Sequence, residues 1–144
     1  MRLYVLDTDH VSLLQKNHPQ IVQRISNVGA GSLAVTVITV EEQLRGWFKV
    51  IRRHSSGPKL IWAYAGLRGA VEYFNTVRLI DFDQAAEACY VDLRRQKIRI
   101  GTQDLRIAAI TLSVNAVLVT RNRRDFEKVP NLVFEDWTTS SVFK

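Results

Sequence analysis

Five short runs of apolar and β-branched residues, each parted from the next by at least one helical stretch, constrain this chain most. They fall at 2–6, 33–38, 77–80, 116–119 and 132–134. Strands separated by segments of helical length pair in parallel through crossovers rather than through tight hairpins. A parallel sheet in turn needs helices on both faces. The expected fold is therefore α/β, an α/β/α sandwich around a central, mostly parallel sheet of about five strands. At 144 residues the chain is expected to form one domain over 1–144, large enough to bury roughly 70% of its unfolded surface.

Helices are expected near 9–16, 18–28, 40–53, 59–75, 83–97, 103–115 and 122–127. Thr39 reads as the cap of the third, and Asp83 as the cap of the fifth. The stretch 103–115 carries apolar side chains on every face, so burial against the sheet and a partner subunit is expected. Cys89, the single cysteine, excludes an internal disulfide and reads as a small apolar residue on a buried helix face. No run approaches the ~20 apolar residues of a membrane span. The N-terminus lacks the apolar core and cleavage site of a secretory signal, so a cytoplasmic location is expected.

The formal charge is +6 and the pI about 9.8, which favours a polyanion as partner. Basic residues gather in three groups: Arg45, Lys49, Arg52 and Arg53; Arg94, Arg95, Lys97 and Arg99; and Arg121, Arg123 and Arg124. Against this basic background the acids sit at particular places. Asp7 follows the first strand directly, Glu42 lies about one helical turn beyond the second, and Asn122 and Asp125 follow the fourth. In open parallel sheets ligands bind beyond the carboxyl ends of the strands, so these positions share one edge. Asp104, in the first turn of the 103–115 helix, can face that edge too. Converging carboxylates repel one another unless a cation lies between them. Hard divalent ions such as Mg²⁺ and Mn²⁺ prefer carboxylate oxygen and water. Each acid alone is equally well explained as a helix-terminal charge or cap; the joint pattern is what points to a metal site.

Four segments resemble those of PIN-domain ribonucleases, particularly the VapC-type toxins of toxin–antitoxin pairs. Leu6-Asp7-Thr8-Asp9 resembles the family's opening motif. Ile38 to Gly46 resembles the second, in which the metal-site Glu precedes a Gly by four residues; this selects Glu42 over Glu41. Gly101-Thr102-Gln103-Asp104 resembles the third, and Val119 to Phe126, followed by Glu135-Asp136-Trp137, the C-terminal end. The resemblance spans nearly the whole chain and implies a PIN-like, Rossmann-like fold. It also implies a Mg²⁺- or Mn²⁺-dependent endoribonuclease leaving 5′-phosphate and 3′-hydroxyl ends, a homodimer, and an antitoxin whose C-terminal segment occludes the RNA groove. Asp7, Glu42, Asp104 and Asp125 would be catalytic, and the same four with Asn122 would hold the metal. One departure stands out: Asn122 occupies a position where some relatives carry an acid, so either its amide oxygen or Asp125 would complete the site.

Thr8 and Thr120 have hydroxyls suited to holding a carboxylate or phosphate, and Arg45 and Arg121 are candidate phosphate contacts. Asp9 reads as an N-cap. His10, His18 and His54 show no metal-ligand spacing and read as surface or loop residues. Trp47, Trp62 and Trp137 suit core or dimer packing, with base stacking as the alternative. Two other readings compete. A non-catalytic RNA-binding PIN domain would bind RNA without cutting it. A haloacid dehalogenase-like phosphatase would use Asp7 of Asp7-Thr8-Asp9-His10-Val11 as nucleophile, but leaves Glu42 without a role.

Overall fold

In the computed structural model, which describes residues 2–139, the strands are β1 (Tyr4–Leu6), β2 (Leu33–Thr36), β3 (Leu79–Ile80), β4 (Val117–Val119) and β5 (Val133–Glu135). They form one sheet in the order β3-β2-β1-β4-β5. Every pairing is parallel, with Val5 opposite Ala34 on one side and Leu118 on the other. The expected mostly parallel sheet is thus parallel throughout. The order reverses between β1 and β4, which places the switch point where Asp7 and Thr120 leave the sheet.

Among the described residues seven α-helices cover the sheet: α1 (Thr8–Gln15), α2 (Pro19–Val28), α3 (Val37–Arg53), α4 (Pro58–Phe74), α5 (Gln84–Arg95), α6 (Thr102–Ser113) and α7 (Arg123–Phe126). Two apolar clusters result, one on each side of the sheet. The first joins Val5 and Leu118 to α5 and α6 through Ala86, Leu93, Ile107 and Ile110. The second joins Leu6, Val35 and Val119 to Val11, Ile21, Phe74 and Trp137. Helix α6 is the centre of the first cluster: Ile107, Ala108, Ala109 and Ile110 are wholly buried within the single chain. The expectation that a partner subunit covers this helix is corrected, because α5 and the sheet already enclose it.

Local boundaries depart from expectation in one instructive place. Thr36, not Thr39, caps α3, its hydroxyl accepting from the Thr39 backbone N–H at 3.2 Å. The β-branched run Val37-Ile38-Thr39-Val40 favours a strand, but burial of Ile38 and Thr39 against the sheet outweighs that preference and starts the helix three residues early. Asp83 caps α5 as expected, accepting from Ala86 N–H at 3.0 Å.

Helices α3 and α4 form a long hairpin. Trp47 meets Trp62 edge-on at 4.9 Å between centroids, and its ring lies so close over Gly66 that a Cβ there would overlap it. Gly57, at φ 97°, makes the turn that Pro58 then converts into helix. No helix among the described residues is long and apolar enough to cross a membrane.

Candidate active site at the switch point

The chain leaves β1 at Asp7, whose backbone carbonyl accepts the Val11 N–H at 3.0 Å and so starts α1. Asp7 therefore takes the capping position expected of Asp9. Its carboxylate is 6% exposed and is fixed at both oxygens: Oδ1 accepts from Thr8 N–H at 2.8 Å, and Oδ2 from the Thr120 hydroxyl at 2.8 Å. The Thr120 oxygen in turn accepts the Asn122 backbone N–H at 3.0 Å. Strands β1 and β4 are thereby tied together at their carboxyl ends through one carboxylate.

Glu42 reaches this edge from the second turn of α3. Its Oε1 accepts the Thr8 hydroxyl at 2.6 Å. Thr8 and Thr39 hydroxyl oxygens are 3.1 Å apart; since the single Thr8 proton goes to Glu42, Thr39 is the donor of that pair. From α6 and α7 come Asp104 and Asp125, bridged by Asn122, whose Nδ2 donates to Asp104 Oδ2 at 3.3 Å and Asp125 Oδ2 at 3.1 Å. The structure thus unites Asp7, Thr8, Glu42, Asp104, Thr120, Asn122 and Asp125 in one network. Asn122 lies between the two acids and links them through its amide nitrogen.

The electrostatics of this edge are unfavourable in themselves. Burial pushes the Asp7 carboxyl up to about 7, with Asp9 and Asp104 adding to the rise and the Thr120 and Thr8 hydrogen bonds opposing it. Asp104 is raised to about 6 by burial and by the charges of Glu42, Asp125 and Asp9, against the Asn122 bond. A hard cation would relieve both rises, and every unshared atom offered is an oxygen. The donor set therefore fits Mg²⁺ or Mn²⁺. Among the described residues, however, no three of His, Cys, Asp and Glu close into a ready-made cage.

The other sequence candidates are distributed unevenly. Arg121 is exposed and lines a cleft of about 500 Å³ with Asp9, Ser12, Lys16 and Asn122; its backbone N–H donates to Asp9 Oδ2 at 3.1 Å. Arg45 pairs with Glu41 at 2.7 Å and faces the groove along α3. Lys16 joins the Arg121 cleft, and Asp9, Ser12 and Lys16 share a helical face by spacing alone. His10 is corrected from surface to core: it is fully buried, its Nε2 accepting the Trp137 N–H at 3.1 Å and its Nδ1–H pairing with Asp9 at 2.7 Å. Trp137 is wholly buried and Trp47 partly so, but Trp62 is 57% exposed, contrary to core packing. A Cβ on Gly46 would meet nothing within 4 Å, so packing within the chain does not explain the glycine that singles out Glu42.

No family model matches the chain. Individual relatives do. The protein named Ribonuclease VapC1 of Haemophilus influenzae strain R2866 is 32% identical over 138 residues, covering 94% of this chain and 98% of that one. The tRNA(fMet)-specific endonuclease VapC of Shigella flexneri is 28% identical, covering 96% and 100%. The solved VapBC-1 structure from nontypeable Haemophilus influenzae contains a chain that superposes with a TM-score of 0.76 at 27% identity, over 95% of this chain and 99% of that one.

Proposed function

This chain belongs to the VapC ribonuclease family, and from that premise we propose that it is a metal-dependent endoribonuclease, the toxin of a toxin–antitoxin pair, acting as one domain over 1–144. The observation that carries the reading is the linked, buried set of acids at the switch point, in which Asp7 and Asp104 stand well above ordinary carboxylates. Asp7, Glu42 and Asp104 would hold Mg²⁺ or Mn²⁺, with Asp125 as a further acid at the rim and Asn122 setting its spacing from Asp104. When bound, the ion supplies charge stabilisation and activates water for in-line attack on phosphorus. The residues of the chain do the positioning. Thr8 orients Glu42 through its hydroxyl and Asp7 through its N–H. Thr120 holds the second Asp7 oxygen. Arg121 and Lys16 flank the acids and offer phosphate contacts that position a strand without reading its bases.

The VapBC relatives supply the model for partners. We propose an antitoxin as protein partner, supported by the exposed Phe48, Ile61, Trp62 and Tyr64 of the α3–α4 hairpin, together with a homodimer and a cytoplasmic location. Incubation of the purified protein with total RNA tests the chemistry. Cleavage is expected with Mg²⁺ or Mn²⁺ and not with chelator, and Asp7→Asn is expected to lower it at least ~100-fold. Undiminished metal-dependent cleavage by that variant would sink the assignment. RNA bound but uncut under saturating Mn²⁺ would favour a non-catalytic role.

A further inference from the structure

Asp9, in the first turn of α1, is gripped at both carboxylate oxygens. One grip comes from His10, which is fully buried. The His10 Nε2 lies 3.1 Å from the Trp137 backbone nitrogen, which can only donate, so Nε2 carries no proton. The Asp136 carboxylate is 3.7 Å from the same ring nitrogen and is taken up instead by the Thr138 N–H and hydroxyl, at 2.9 and 2.6 Å. The ring proton therefore sits on Nδ1 and is donated to Asp9 Oδ1 at 2.7 Å. Asp9 Oδ2 accepts the Arg121 backbone N–H at 3.1 Å. The chain after β1 and the chain after β4 are thus joined twice, through Asp7 to Thr120 and through Asp9 to Arg121. Next to the second joint stands Asn122, which links Asp104 and Asp125.

A histidine that only filled the core would need neither tautomer. Here the Trp137 N–H selects the tautomer, and the tautomer selects which way Asp9 points. Burial raises the Asp7 and Asp104 carboxyls, and the Asp9 charge adds to both rises, so Asp9 stands close enough for the acids to feel it. We propose that His10 is a positioning residue of the active site: through its Nδ1–H it aims Asp9 at Arg121 and so fixes the loop bearing Arg121 and Asn122 against the acids. The inference rests on the ribonuclease reading above, and it gives the segment at Trp137 a share in setting the site.

His10→Asn and His10→Gln separate aim from bulk, because the Asn amide falls where Nδ1 was and the Gln amide where Nε2 was. Asn keeps a donor for Asp9 and loses the acceptor for Trp137; Gln does the reverse. Cleavage of a short RNA at saturating RNA and Mn²⁺, per folded protein, is expected to fall about 10-fold in His10→Gln, with His10→Asn recovering most of the rate. Denaturation should rank them the other way, with His10→Asn the less stable. A merely structural histidine would give one ranking in both measurements. In metal-free protein the Arg121 amide should exchange hydrogen about 10-fold faster in His10→Gln than in wild type. Asp9→Asn, at a side chain 33% exposed where folding is safer, should do the same, since its amide offers one acceptor where the carboxylate offered two. Arg24→Gln removes the Glu135 ion pair and the contact with the Trp137 ring; it should loosen the same segment yet leave the rate and the Arg121 amide alone. A rate that follows stability, or an Arg121 amide unchanged in Asp9→Asn, would overturn the positioning role and leave the ribonuclease reading standing. Wild-type protein that cuts no RNA would overturn both.

Discussion

The acidic edge and the α3–α4 hairpin leave stability unclaimed in opposite ways. At the edge, carboxylates are buried together: Asp7 is 6% exposed and raised to about 7. On the hairpin, apolar side chains stay in water: Ile61 is 73% exposed and Trp62 57%. The first region is short of positive charge and the second of apolar cover. The edge is tightly cross-linked by hydrogen bonds, which suits a site that must hold a small ion in fixed geometry. On the hairpin Trp47 packs against Trp62 and over Gly66, and the hairpin presents a groove of about 960 Å³ rimmed by Arg45, Lys49, Arg52 and Arg53. The difference teaches that, on the proposed function, the two regions would answer to different partners, one ionic and one macromolecular.

The sharpest way to break this comparison is Asp7→Asn. It should raise the stability of the chelator-treated protein even as it removes cleavage. The sign follows from linkage: the folded state raises the Asp7 pKa from 3.8 to about 7. The protonated form is thus favoured on folding. That stability is fully present below pH 3.8 and is lost as the pH rises through about 7. Thermal denaturation in chelator at pH 8 should place the variant above wild type by on the order of 1–4 kcal/mol. At pH 4 the two should nearly coincide. Asp104, raised to about 6, acts with the same sign. A variant less stable than wild type at pH 8 would mean that Asp7 is a structural hub rather than a strained ligand.

On the hairpin, Gly66→Ala forces a Cβ into the Trp47 ring and should cost about 1–3 kcal/mol, read as a lower denaturation midpoint. The acids are untouched, so cleavage by the remaining folded protein should persist. Trp62→Ser should shift stability least, by roughly 0.5 kcal/mol or less. It should also weaken self-association or antitoxin capture in sedimentation experiments. A large stability loss from Trp62→Ser would show that the residue is core after all.

Much of this was legible in the sequence, for identifiable reasons. The apolar runs place five strands and the spacing of acids after them places the acidic cluster, because strand ends and helix starts are local signals. Asp83 shows this well: a carboxylate three residues before an unpaired N–H is a cap wherever it occurs. What escaped depends on contacts distant in the chain. His10 looks like a surface residue until the Trp137 backbone, 127 positions away, supplies a donor for its ring. The hydrogen bond from Asn122 to Asp104 spans 18 positions, so no local pattern contains it. Thr36 displaced Thr39 as the cap because burial overrode a β-branched sequence.

The central claim is that the buried acids form a divalent-cation site, and calorimetric titration of Mn²⁺ into the protein at pH 6.5, in buffers of differing ionisation heat, tests it most directly. The account predicts saturable binding with release of protons, since Asp7 and Asp104 begin partly protonated there, and at least ~10-fold weaker binding by Asp7→Asn. Wild-type and Asp7→Asn proteins binding Mn²⁺ equally, with no proton release, would contradict it.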